Sequence, residues 1–434
     1  ALPIFWMKLK HEVRDGIHGF ILFDRLEKAL IDSRPMQRLR CIHQLAMSYQ
    51  VYPGATHKRF EHSLGVMELA TRIFDQLFRG RLPDKIQDLI GKELDELDYW
   101  RGVVRIAALL HDIGHLPFSH AAEQDLLPEG WSHERLTAEM IRQSEIADIL
   151  RDARPQVEPE DVVDVAWEER ERIKVEKVEL SPWKSLLNGI ISGRTFGADR
   201  IDYLLRDSWH TGVAYGRFDP DRLISGLTVV IDPADNEVAI GLDIGAIHAA
   251  EALLLARYFM YTQVYLHDVR RAYDLHLKEF LAAWLKDGKF SSDWRELMKI
   301  TDHEVLAHMR AVAVDPANNL FPLANRVLSR QHFKTIYEMI QGHKKKCPTI
   351  LDDLIQAAKE QFGEDNIRSD HYGPKSENND FCVRVSDEEI VSSLQESSVI
   401  ANIPPIEIGL IFAERSISDR AEKWLSAKIK SMLK

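Results

Sequence analysis

HDIGHLPFSH, residues 111 to 120, follows directly on VVRIAALL (103 to 110). The apolar run reads as a buried helix that delivers His111 and Asp112 at its end, where Gly114 and Pro117 disrupt helical continuation. A polar pair is thereby presented at the edge of a core. Working outward, RFEH (59 to 62) places His62 early in another helical pattern, after the loop PGATHKRFE. In ADRIDYLLRD (198 to 207), Asp199, Tyr203 and Asp207 are spaced i, i+4, i+8, which puts them on one helix face. A lone His-Asp pair is usually a buried histidine bonded to a carboxylate. The full set is more specific: two imidazoles and two carboxylates suit one divalent ion such as Mn, Fe, Zn or Mg and leave positions open for water and substrate. The chemistry this points to is metal-dependent phosphate ester hydrolysis.

The 434 residues allow one large core with an appended lobe, or two domains. The longest apolar runs fall far short of the roughly 18 residues of a membrane helix, so no membrane association is expected. The leader ALPIFW has no preceding basic region and is too short for a signal-peptide core. The three cysteines, Cys41, Cys347 and Cys382, show no CxxC spacing, which argues against a disulfide framework or a cysteine zinc site and fits a reducing, cytoplasmic setting. A net charge of −12 opposes nucleic acid at long range, and HKKK (343 to 346) reads as a solvated helix end. A small anion in a cleft meets no such objection.

Apolar spacings of three and four, as in Leu64, Met67, Ala70, Ile73 and Phe74, or Ile141, Ile146 and Ile149, predict a mainly α fold. LTVVI (227 to 231) and EVAIGL (237 to 242) predict one small β-hairpin among the helices. Residues 151 to 182, rich in Glu, Arg, Lys and Pro, read as a charged peripheral excursion. Residues 363 to 380 read as irregular, followed by FCVRV and a terminal amphipathic helix around Ala421 to Leu433. A boundary near 275 gives a catalytic core over 1–275 and a mostly helical C-terminal α(+β) lobe over 276–434, concerned with oligomerisation.

Across roughly residues 11 to 275, the blocks IHGFI (17 to 21), RPMQRLRCIHQL (34 to 45), YPGATHKRFEHSLGV (52 to 66), HDIGHLPFSH, WSHE (131 to 134) and ADRIDYLLRDS (198 to 208) resemble the HD-domain deoxynucleoside triphosphate triphosphohydrolases. The resemblance implies the helical HD-domain phosphohydrolase fold and makes His62, His111, Asp112 and Asp199 the metal ligands. It implies release of a deoxynucleoside and intact triphosphate by cleavage between the 5′ oxygen and the α-phosphorus. His115, His120 and His133 are then candidates for proton transfer and phosphate contact, with the general acid left open, and Arg59, Arg200 and Arg257 match phosphate clamps. Tyr203 matches a wall against C2′ of the sugar, Gln44 and Asp207 match 3′-hydroxyl contacts, and Leu45 and Tyr265 match further pocket positions.

The family also uses a guanine nucleotide, dGTP or GTP, at a subunit interface to promote an active tetramer. Asp32, Gln37 and Arg40 match the residues that read guanine, and Arg222, with Arg330 and Lys334, matches basic positions near its phosphates. Three departures bear on that site: Gly16 stands for the proline of DPIHG, and Asp268 and Gly245 stand where lysines are usual. Leu266 replaces the glutamine after the pocket tyrosine and leaves base preference open. Two other readings compete, an HD phosphohydrolase of nucleoside monophosphates or cyclic nucleotides and a nucleotide-sensing oligomer with secondary catalysis. The presence of all four ligands and of Gln44, Tyr203 and Asp207 favours the triphosphohydrolase.

Overall fold

The structure, a computed structural model, describes residues 11–373 and 379–433, with the backbone alone for Lys92, Glu93, Asp95, His120, Ala122 and Gln124. The leader ALPIFW lies outside the described residues. Helices dominate, as the three- and four-residue spacings require. One compact unit extends through Arg257 and takes up the chain again at Phe290–Asp302 and Asn379–Ile403; the second comprises Tyr258–Lys289, His303–Asn378 and Pro404–Lys434. The division therefore differs from a single cut after 275. Phe290–Asp302 belongs to the first unit because it supplies buried Phe290, Leu297 and Asp302 to its interior.

In the first unit, helix Arg59–Leu77 packs against helices Leu97–Leu110 and Ala198–Thr211. Leu64, Met67, Ala70, Ile73 and Phe74 are all buried, so the spacing seen in the sequence is the core stripe. VVRIAALL is buried throughout, its Arg105 included. That guanidinium is satisfied by Glu27, by Thr71 Oγ1 at 2.6 Å and by the Leu22 carbonyl at 2.9 Å.

Among the described residues, nine strands form three small sheets: β1 (His11–Asp15), β2 (Gly19–Phe23), β3 (Leu227–Ile231), β4 (Val238–Asp243), β5 (Lys334–Glu338), β6 (Ile367–Tyr372), β7 (Cys382–Arg384), β8 (Ile390–Ser392) and β9 (Ile408–Ala413). The predicted hairpin is β3–β4, with Leu227 opposite Leu242. It does not stand alone, because β7 and β8 extend it in the order β3-β4-β7-β8. β1–β2 is a second hairpin, too short and too charged at His11–Asp15 to show a clear alternation. In the second unit, β5-β9-β6 is antiparallel, and helices Ile350–Phe362 and Ser418–Met432 close over it through Leu354, Ala358, Ala421 and Leu425. β6 lies inside the stretch 363 to 380, whose polar composition hides the strand, Arg368 to His371 being polar in succession.

The segment 151 to 182 is not peripheral. Helix Pro159–Ala166 buries Val162, Val163 and Val165, and Trp167 follows it inward. The surrounding charges are internal partners: buried Arg172 pairs with Asp164, with Glu160 at 2.7 Å and with Glu176 at 3.0 Å, and Lys184 reaches Asp164 at 2.6 Å. Removing Arg172 leaves buried Asp164 to Lys184 alone, and Glu160 and Glu176 to Arg142 alone. Arg172→Ala is expected to lower the unfolding free energy by about 3 kcal/mol in urea denaturation; a loss below about 0.5 kcal/mol, the scale of a surface change, contradicts this packing.

Candidate metal centre and active site

Helix Arg59–Leu77 carries His62, the end of helix Leu97–Leu110 carries His111 and Asp112, and the first turn of helix Ala198–Thr211 carries Asp199. Their donor atoms converge. His62 Nε2 lies 3.0 Å from Asp199 Oδ1 and 3.7 Å from Asp112 Oδ2; His111 Nε2 lies 3.3 Å from Asp112 Oδ1 and 3.8 Å from Asp199 Oδ1. The His111 Nδ1 faces the Ala108 carbonyl at 2.8 Å and is the donor there, so Nε2 carries the lone pair. That Nε2 is buried and makes no hydrogen bond. Burial pushes the His62 imidazole down, yet the hydrogen bonds from Asp199 and Asp202 carry it up to about 10. Against the push of burial, Arg59 and the neighbouring imidazoles hold Asp112 well below the usual carboxylate range, and against the same push the nearby imidazoles of His111 and His62 lower Asp199. The field at this point calls for positive charge, and an imidazole lone pair aimed into it without a donor fits a divalent ion held by these four side chains.

Behind His62 lies a second set of buried groups. His62 Nδ1 meets Asp202 Oδ2 at 2.7 Å. Asp202 also accepts from His18 Nε2 at 2.6 Å and from Arg206 at 2.7 and 3.0 Å. Arg206 turns its other edge to Asp15, 2.8 Å away, and Asp15 accepts the backbone N–H groups of Ile17 and His18. A carboxylate behind a ligand histidine fixes its ring and tautomer. Helix Ala198–Thr211 approaches so closely that a Cβ on Gly65 would stand 2.0 Å from Asp202 Oδ1 and 2.4 Å from Arg206 Nη2.

On the other side of Asp112, Arg59 pairs with its carboxylate and donates to Ser119 Oγ at 2.7 Å. His115 Nε2 lies 3.2 Å from Asp112 Oδ1, and its ring stacks on His133 at 3.8 Å between centroids. His133 Nδ1 meets Glu123 Oε1 at 2.6 Å; burial opposes a charge there, but Glu123 lifts His133 to about 9. Burial first, then Arg59 and His133, hold His115 well below the ordinary histidine value. Asp112 and His115, both buried, and half-buried His133 thus form a second group whose donor atoms lie close together. The side chain of His120 lies outside the described residues. Its neighbour Ser119, with Phe118, has a positive φ, and this turn is held by Asp302, fully buried, which accepts from the Phe118 N–H at 2.7 Å and the His43 N–H at 2.8 Å.

Along helix Ala198–Thr211, half-buried Tyr203 and buried Asp207 share the face of Asp199, while Arg200 is half-buried beside it. Asp207 is bound by His57 Nε2 at 2.8 Å. Half-buried Gln44 has its Oε1 buried with no hydrogen bond, next to buried Leu45. Arg257 is buried in the first unit; Tyr265 belongs to the second, in the π-helical turn Tyr261–Tyr265.

At the surface, Asp32 ends helix Arg25–Asp32 and pairs with Lys28. Gln37 donates to the Ile31 carbonyl at 2.7 Å, Arg40 donates to Gln37 Oε1 at 2.9 Å, and the Arg40 guanidinium covers the Phe60 ring at 3.5 Å. Arg222 instead donates to the Gly245 carbonyl. Among the described residues no hydrogen bond or ion pair joins Arg222 to Asp32, Gln37 or Arg40.

Sequence reasoning missed Asp202, Arg206, Asp15, His18, Glu123 and His57. Asp202 and Arg206 had a legible signal, an i, i+4 acid–base pair buried on a helix already chosen for Asp199. Glu123 and His57 had none, because their partners are brought to them only by tertiary packing.

Residues 59–207 match the model of the HD domain, and residues 218–403 match that of the HD associated region. An uncharacterized protein of Methanocaldococcus jannaschii is 30% identical over 97% of this chain and 83% of its own. Deoxynucleoside triphosphate triphosphohydrolase SAMHD1 of Bos taurus is 28% identical over 80% of this chain and 62% of its own. Among solved structures, a hypothetical protein from Aquifex aeolicus superposes with a TM-score of 0.75 at 34% identity, covering 96% of this chain and 99% of that one. No helix among the described residues is long and apolar enough to cross a membrane, and the three cysteines are free.

The buried carboxylate behind His62 predicts that Asp202→Asn weakens Mn²⁺ binding about 10- to 100-fold by titration calorimetry. Gly65→Ala is expected to act in the same direction, since its methyl displaces Asp202. Unchanged affinity in both variants contradicts the support described.

Proposed function

The chain belongs to the family of HD-domain phosphohydrolases that carry an HD-associated region, and on that footing we propose that it hydrolyses deoxynucleoside triphosphates to a deoxynucleoside and inorganic triphosphate. The observation that carries the reading is that His62, His111 and Asp199 bring donor atoms to one point, with Asp112 beside both imidazoles and the His111 lone pair aimed into it. These four would hold a divalent ion, which would supply polarisation of a phosphoryl oxygen and a bound water whose pKa is lowered toward ~7. Water oxygen forms the new bond to the α-phosphorus as the bond to the 5′ oxygen breaks, and the leaving oxygen takes a proton from His115, His120 or His133.

The chain's own groups divide this work. Arg59, fixed by Asp112 and Ser119, and Arg200 and Arg257 offset the phosphate charge. The stacked His115 and His133 donate to phosphate oxygens, His133 as an imidazolium backed by Glu123. Tyr203, one helical turn from Asp199, walls the sugar at C2′, and Gln44 and Asp207 take the 3′ hydroxyl, with Leu45 beside Gln44. The similarity to the deoxynucleoside triphosphate triphosphohydrolase SAMHD1 of Bos taurus supports the substrate class.

Regulation follows from the surface pair. Asp32, Gln37 and Arg40 read the guanine of dGTP or GTP at a subunit interface of a homotetramer, with Arg222 toward its phosphates. Arg40 rests on Phe60, and the residue just before Phe60 is Arg59. Gly245 and Asp268 in place of lysines make this effector hold weaker. The setting is cytoplasmic, in keeping with free thiols.

With Mn²⁺ and each dNTP, with and without GTP, product analysis is expected to show inorganic triphosphate and deoxynucleoside. Orthophosphate, pyrophosphate or no turnover contradicts the reading and favours the other HD-phosphohydrolase or sensing alternatives. Tyr203→Ala is expected to narrow the deoxy-to-ribo ratio of kcat/KM by about tenfold, the worth of one steric contact; an unchanged ratio removes Tyr203 from that role.

A further inference from the structure

We propose that His57 is the positioning residue of the sugar-reading end of the pocket, fixing Asp207 with its ring and Gln44 with its main chain; this rests on the deoxyribose reading given above. His57 sits in the loop before helix Arg59–Leu77 and is buried, as is Asp207. Its Nε2 donates to Asp207 Oδ1 at 2.8 Å, while its Nδ1 is buried without a hydrogen bond, so the ring's one bond in its pocket goes to Asp207. His210, from the same helix as Asp207, stacks on the other face of the interaction, 4.3 Å between centroids and 14° from parallel. The ring has two neighbours that both depend on helix Ala198–Thr211.

The main chain of the same residue sets Gln44. The Gln44 N–H donates to the His57 carbonyl at 3.1 Å and the Arg59 N–H donates to the Ile42 carbonyl at 3.0 Å, around an antiparallel bridge between His43 and Lys58. Gln44 is therefore registered opposite His57, with a buried side-chain oxygen that lacks a donor. A sugar hydroxyl supplies a donor. The loop has no slack to move: a Cβ on Gly54 would lie 2.4 Å from the His210 carbonyl oxygen. One residue thus sets the spacing of the two groups assigned to the 3′ hydroxyl. A merely structural histidine would leave recognition of that hydroxyl alone.

The test compares His57→Phe, which keeps the stacked ring and removes the donor, with His57→Gln, whose amide places an N–H near the ring Nε2. The Mn²⁺-loaded full chain is assayed with dNTPs and with 2′,3′-dideoxy analogues, following kcat and KM separately and checking fold by thermal unfolding. The Phe variant is expected to raise KM for dNTPs on the order of tenfold, the loss of one hydrogen bond to a charged group, and to change the dideoxy values less than about twofold. The Gln variant recovers most of that loss. Equal losses on both substrate series, or none on either, overturn the role of His57 while the wild type still prefers a 3′ hydroxyl. A wild type indifferent to the 3′ hydroxyl overturns the sugar reading and this inference with it. If the Phe variant does not fold, the Gln variant alone decides: selective weakening toward dNTPs supports the role, and parallel loss on both series overturns it.

Discussion

Asp202 lies fully buried at the meeting of three elements, and a carboxylate in that position is costly unless every lone pair finds a partner. Here His62, His18 and Arg206 supply the partners, and Asp15 takes the far edge of Arg206. Satisfying this one group fixes the ring of His62, the depth of helix Ala198–Thr211 and the turn of hairpin β1–β2 together. Asp199, three residues before Asp202 on that helix, is set by the same constraint. Donor atoms of His62, His111 and Asp199 meet because the helices cannot slide without stranding a buried charge.

A second constraint acts on the phosphate side. Asp302 holds the backbone of Phe118 and His43, and through that turn it places Ser119 against Arg59. Arg59 in turn balances Asp112, whose other neighbours are imidazoles. The ligand carboxylate is thus held ionised by groups that also face the expected phosphate. Stability and chemistry share the same side chains here, so variants of Arg59 or Asp302 combine effects that variants of Tyr203 separate.

Much of this was legible before any coordinates. The apolar stripe of residues 64 to 74, the buried helix before His111 and the face shared by Asp199, Tyr203 and Asp207 follow from period alone, and the structure places them so. Composition misled over 151 to 182, where Arg172 lies among its carboxylate partners, and over 363 to 380, where the polar run Arg368 to His371 forms most of β6. Supporting residues were invisible for a physical reason. His57 and Asp207 are 150 positions apart, and a hydrogen bond across that distance leaves no local pattern. His18 and Asp202 show the same limit across 184 positions.

The account stands on water attacking phosphorus beside the His62, His111, Asp112 and Asp199 cluster. Hydrolysis of a dNTP in ¹⁸O-labelled water, with mass analysis of both products, reads that step directly. One ¹⁸O on a terminal phosphorus of inorganic triphosphate, and none in the deoxynucleoside, is the predicted result. Label in the 5′ hydroxyl of the nucleoside, or in orthophosphate released from the far end, would contradict it.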